Sequence, residues 1–172
     1  MRIQLIALLT VAVCQSPDPR VEVRGSDPWD DVRMLVGHWK GEVEGWFMQA
    51  EVERNWEFVL GGKFLQGHSR SVHGHQVDEE LDMLSWDKVR RCFVLRRFSS
   101  SGYVLQFAGK VRQNGRLELE TEAWENGRPY PLRAKIAFAF VSEDELEVTF
   151  YMALKNQELV VYSVMKLARV DR

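Results

Sequence analysis

Cysteine and histidine are scarce in this chain, and their scarcity removes several classes of protein at once. Two cysteines among 172 residues, Cys14 and Cys92, provide no disulfide framework and no zinc-type ligand spacing. The four histidines end at His75. His68, His73 and His75 stand near Asp78 and Glu79, but His73 and His75 flank a glycine in a turn-like stretch, so the group reads as a solvated loop and no metal is assigned. Charge of one sign is also missing. The 23 basic and 25 acidic residues are interspersed to a net −2, which leaves no basic stripe for phosphates and makes nucleic acid an unexpected partner. With 12 glycines, 5 prolines and no internal repeat, the chain is neither low-complexity nor a solenoid. No serine or cysteine has a recognisable base beside it, Cys92 reads as a small core residue, and Ser99–Gly102 has turn composition. No catalytic residue and no cofactor are therefore assigned.

What is present is apolar residue in quantity, 45% of the chain, enough for one domain that buries roughly 70% of its unfolded surface. The opening "MRIQLIALLTVAVC" carries one arginine and a mostly apolar run from Ile3 to Val13 before Cys14. That run is shorter than the ~20 residues of a membrane span. It reads as an export signal, with Cys14 a candidate lipidation site and membrane tether, although Val13 stands where Gly or Ala usually precedes such a cysteine. Residues 1–24 are expected to be leader and polar linker, and 25–172 the folded domain. An exported, periplasmic or envelope location follows from that reading, with the cytoplasm as the alternative.

Ser26, Asp27 and Pro28, followed by apolar Trp29, Val32, Leu35 and Val36, predict a short helix that ends at Gly37. Beyond it the chain alternates almost without pause. Ten strands are predicted: 38–46, 50–60, 63–72, 80–87, 92–98, 103–111, 116–124, 132–141, 145–154 and 158–169. A meander of this length closes to remove its edges. The fold class is all-β, a closed or nearly closed antiparallel up-and-down barrel of about ten strands with one short N-terminal helix.

Turn chemistry sets which residues face inward. A two-residue Gly61-Gly62 turn pairs Phe58 with Leu65, Trp56 with Gly67, Arg54 with Ser69 and Val52 with Ser71 inside, and leaves Glu53 opposite Arg70 outside. An Asn156-Gln157 turn pairs Met152 with Val161, Phe150 with Ser163 and Val148 with Met165, and leads inward parity to Leu167 and Arg169. Gln113–Gly115 fits a three-residue loop that aligns Val111 with Leu117. For Ser99–Gly102, a two- or four-residue loop turns Cys92, Val94, Arg96 and Phe98 inward beside Tyr103, Leu105 and Phe107, whereas an odd loop would turn Arg97 inward instead.

The order of a helix, "LVGHW", an alternating strand, "FVLGGKFLQG" and "LSWDKVRRCFVLRRF" resembles small bacterial calycin-like proteins related in pattern to nitrobindin and the fatty-acid-binding proteins, across residues 27 to 170. The resemblance implies that Trp39 of Gly37-His38-Trp39 plugs the closed end of the barrel against a basic side chain of the last strand, with Arg169 first and Lys166 second. Nitrobindin-like proteins hold haem through a late-strand histidine, which this chain lacks.

Buried arginine needs an answering charge, and the inner faces assigned above supply almost no carboxylate. Arg54, Trp56, Ser69, Arg96, Phe98, Tyr103, Leu105 and Phe107 are therefore the candidate ligand-binding residues, with a small apolar, anionic or fatty-acid-like molecule as the expected ligand. Rim arginines paired with Asp82 are the plainer alternative. Ten strands should enclose more space than eight, which are just wide enough to be filled by side chains. Three readings follow: a non-enzymatic carrier, an enzyme on the same barrel using Tyr103, Arg54 and Arg96 as electrostatic stabilisers, and an envelope interaction module.

Overall fold

A computed structural model of the protein describes residues 27–45, 48–125, 132–154 and 157–170. Ten strands follow one another: β1 (Gly37–Gly45), β2 (Met48–Val59), β3 (Phe64–His73), β4 (Gln76–Asp87), β5 (Cys92–Ser99), β6 (Val104–Val111), β7 (Leu117–Glu125), β8 (Leu132–Phe140), β9 (Glu145–Leu154) and β10 (Val160–Arg169). Each pairs antiparallel with its neighbours in sequence, and β10 returns to β1 to close the barrel. Closure gives every strand a partner on both sides, with β7 and β8 paired over Leu117–Glu120 and Lys135–Phe138. The leader-like run, Cys14, Ser26, Trp46 and Asn156 lie outside the described residues.

The predicted helix is replaced by successive tight turns and a single 3-10 turn at Arg33–Leu35. The amides of Asp30, Val32, Leu35 and Val36 each bond a carbonyl three residues back. Spacing explains the difference. Trp29, Val32 and Leu35 are three residues apart and all are buried, so a backbone with three residues per turn puts them in register on the barrel end, where 3.6 would not. Asp27 starts the segment by accepting the Trp29 amide at 3.1 Å.

Three hairpins show how the turns set the inner face. Phe58–Leu65, Trp56–Gly67, Arg54–Ser69 and Val52–Ser71 pair as the glycines imply, although the loop has four residues, Leu60–Lys63, whose even length preserves the parity. Gly67 is inside because the Trp56 ring lies on it, and a Cβ there would sit 2.7 Å from the indole. Arg112 and Arg116 close the expected three-residue loop, with Gly115 at φ +77°. In the last hairpin Phe150–Ser163 and Val148–Met165 pair as expected, but a bulge between Val161 and Ser163 moves Val161 opposite Tyr151.

The end formed by the start of β1 and the end of β10 is closed. Trp39 is fully buried, donates its indole N–H to the Leu35 carbonyl at 2.9 Å, and carries the Arg169 guanidinium 4.1 Å above its ring. Arg169 also donates to the Val36 carbonyl at 2.6 Å and the Met34 carbonyl at 2.9 Å. It thereby ties the last strand to the capping segment. Gly37, at φ +127°, permits this approach, since a Cβ there would fall 2.4 Å from Arg169 Nη1. Trp29 closes the layer with edge contacts to Phe58 and Phe93.

Candidate functional site

The other end of the barrel holds a cavity of about 300 Å³, at the lower end of the range of roughly 300 to 1,000 Å³ typical of small-molecule sites. Its two walls differ in chemistry. Strands β1 and β8–β10 contribute apolar Val43, Ile136, Val148, Phe150 and Met165, while β3–β5 and the loop after β5 contribute Ser71, Asp78, Glu80, Arg97, Ser99 and Tyr103. The bulge in β10 lets the sequence neighbours Tyr162 and Ser163 both reach the lining, which a regular strand would forbid because successive side chains point to opposite faces.

Below the polar wall lies a buried charge cluster. Arg97, 4% exposed, forms a two-pronged pair with Asp82, 1% exposed, through Nε and Nη2 at 2.8 Å each, and its Nη1 lies 3.2 Å from Glu80. Arg54 is fully buried and reaches the same carboxylates only through Nη2, at 3.4 Å from Asp82 and 3.5 Å from Glu80. Burial opposes ionisation of Asp82, but Arg97 and then Arg54 outweigh it and hold its carboxyl below the usual aspartate range. Burial also works against the charge on Arg97, and the two carboxylates more than restore it, so its pKa rises. For Arg54 burial wins and the pKa falls, as its longer contacts would suggest. Burial, followed by the Glu80 charge, pushes the Tyr103 hydroxyl up, so it stays a donor at neutral pH.

Two sequence expectations are corrected here. Arg96 and Phe98 point to the outside of the barrel, Phe98 with 39% of its surface exposed and Arg96 stacked over its ring. Val94 turns outward with them, and Arg97 takes the inner position. The cause is the loop at Ser100–Gly102. It has three residues, closed by the Ser99 amide on the Tyr103 carbonyl at 3.1 Å with Gly102 at φ +86°, and so pairs Arg97 with Leu105. The second correction concerns the answering charge, which the chain itself supplies through Asp82 and Glu80. Gly74 and His75 form a two-residue turn that pairs Ser71 with Asp78, Ser69 with Glu80 and Gly67 with Asp82 on the inner face. Building that turn from "HGHQ" would have found both acids.

Of the other candidates, Tyr103 and Leu105 line the cavity. Arg54, Trp56, Ser69 and Phe107 are buried deeper in the barrel. Arg54 Nε and Nη1 and Trp56 Nε1 have no acceptor among the described residues. His68 faces out, and His73 caps the Gln49 carbonyl at 2.6 Å. No group of three metal-ligating side chains occurs among the described residues.

Comparison with known proteins shows where this barrel recurs. The Rv2717c protein of M. tuberculosis superposes with a TM-score of 0.63 at 19% identity, over 85% of this chain and 99% of that one. The S-type phycobiliprotein lyase of Guillardia theta superposes with a TM-score of 0.57 at 11% identity, over 83% and 92% of the respective chains. At such identities the likeness is one of fold. No curated protein matches the sequence. Residues 30–168 match the family described as protein of unknown function (DUF1579), and the chain belongs to that family.

Proposed function

We propose that the protein is a non-enzymatic carrier or sensor that takes a small, fatty-chain molecule into the open end of its barrel. The observation that carries this reading is the two-faced cavity, with Val148, Phe150 and Met165 on one wall and Ser71, Tyr103 and Glu80 on the other. A ligand with an apolar body and one polar end matches both walls in a single orientation. Each ~100 Å² of apolar surface it withdraws from water contributes about 2.5 kcal/mol, so a short chain is enough for useful affinity. Arg97, Asp82 and Glu80 are engaged with one another, an arrangement suited to holding a shape rather than to moving protons. The lyase among the structural neighbours lends its barrel to this comparison and not its reaction.

Export, with Cys14 as a lipid tether, belongs to the same proposal and would bring the carrier close to membrane-derived ligands. Native mass spectrometry of the protein purified from its own cells tests the carrier reading. A co-purifying small molecule released on unfolding is expected. A protein that arrives empty and fails to bind the neutral dye Nile red contradicts it.

A further inference from the structure

We infer that the polar end of the ligand is an uncharged oxygen acceptor, such as an amide or an alcohol, and not a carboxylate. This rests on reading the open-end cavity as the ligand chamber, and it departs from the fatty acid that the arginines suggest from sequence. Charge argues first. Asp78 and Glu80 line the chamber with Arg97, and Asp82 and Arg54 lie directly behind, so three acidic groups face two basic ones. Arg97 is not available as a fork for an incoming acid, and Arg54, though open at Nε and Nη1, already faces two carboxylates. Arg97 commits Nε and Nη2 to Asp82 and Nη1 to Glu80, and Arg54 already shares both carboxylates through Nη2. A ligand carboxylate would add a fourth negative charge beside the buried Asp82–Arg97 pair, where repulsion is poorly screened.

Hydrogen bonding argues second, and in the opposite sense. Arg54 Nε and Nη1 and Trp56 Nε1 are buried donors without an acceptor among the described residues. Such donors are rare in folded proteins and call for an oxygen. Charge in the cluster is closed while its hydrogen bonding is open, and a neutral acceptor satisfies both conditions. Strand β3 runs from the chamber to these donors. Ser71 lines the chamber, and Ser69, on the same face two residues deeper, is buried directly opposite Arg54. Glu80 stands across from Ser69 and contacts both arginines, so a polar end that reached past it, beyond the chamber lining, would meet the open N–H groups of Arg54. Tyr103, held protonated, supplies one more donor at the chamber wall.

The test is displacement of Nile red from the full chain at neutral pH by lauric acid, lauramide and lauryl alcohol, which share one alkyl chain. Lauramide and the alcohol should displace the dye at concentrations at least about tenfold below laurate, a gap of about 1.4 kcal/mol. Glu80→Gln removes one negative charge and should narrow that gap by strengthening laurate. Arg54→Met should weaken lauramide by at least about threefold, read against the dye affinity remeasured for the variant; if this variant does not fold, the Glu80→Gln arm and the wild-type ranking still decide. Laurate binding best, or all three binding equally, overturns the inference while leaving the chamber reading intact. Failure of Nile red to bind the wild-type chain overturns the chamber reading itself.

Discussion

The two ends of the barrel solve opposite problems with the same residue type. At the closed end Arg169 lies over Trp39 and gives its N–H groups to the backbone carbonyls of Val36 and Met34. At the open end Arg97 gives its N–H groups to the side chains of Asp82 and Glu80. Backbone carbonyls cannot leave without unfolding the cap, so the first arrangement is a rivet. Side-chain carboxylates at the foot of a cavity instead set the charge of its floor. The difference shows that a buried arginine is not by itself a ligand signal; what its donors already hold decides.

The comparison is tested first where the largest effect is expected. Asp82→Asn leaves both buried guanidinium groups under-compensated and should destabilise the protein by about 3–5 kcal/mol in denaturant titration. The same residue sets an acid limit. Because its folded pKa is depressed, Asp82 contributes stability that is present above the unfolded aspartate value of about 3.9 and is lost as pH falls through the folded one. Stability of the wild type should therefore fall at and below that range, and Asp82→Asn should flatten the slope.

Arg169→Ala removes the stacking on Trp39 and two bonds to the cap, for an expected cost of about 2–3 kcal/mol. Nile red affinity should change little, since the mutation lies at the opposite end. Ser71→Leu reverses the pattern. A larger side chain in the chamber should weaken Nile red by about tenfold, or ~1.4 kcal/mol, while stability shifts by less than about 1 kcal/mol. The smallest effect is expected on the outer surface, where Phe98→Ser should alter stability by no more than about 0.5 kcal/mol and leave dye binding unchanged.

Most of the architecture was legible because strand alternation and tight turns are local signals. The pair Gly61-Gly62 fixes the parity of β2 against β3 even with two further residues in the loop, and Gly115 fixes that of β6 against β7. The site was less legible for the same reason. One residue more or fewer in Ser99–Gly102 exchanges Arg96 for Arg97 and Phe98 for Ser99, and the sequence of that loop, three serines and a glycine, suits either length. The stretch "HGHQ", as a two-residue turn, carries three acids, Asp78, Glu80 and Asp82, to the inner face. The capping segment differs again. Its apolar residues repeat every three positions, which a reader takes for an irregular helix, while the barrel end selects the tighter turn.

Methyl-resolved NMR of the protein titrated with Nile red tests the division between the two ends most directly. The account predicts shifts at Leu105, Ile136, Val148 and Met165 around the chamber, with Leu35 and Leu167 at the closed end unmoved. Shifts centred on the closed end or on the outer face of the barrel, with the chamber methyls unchanged, would contradict it.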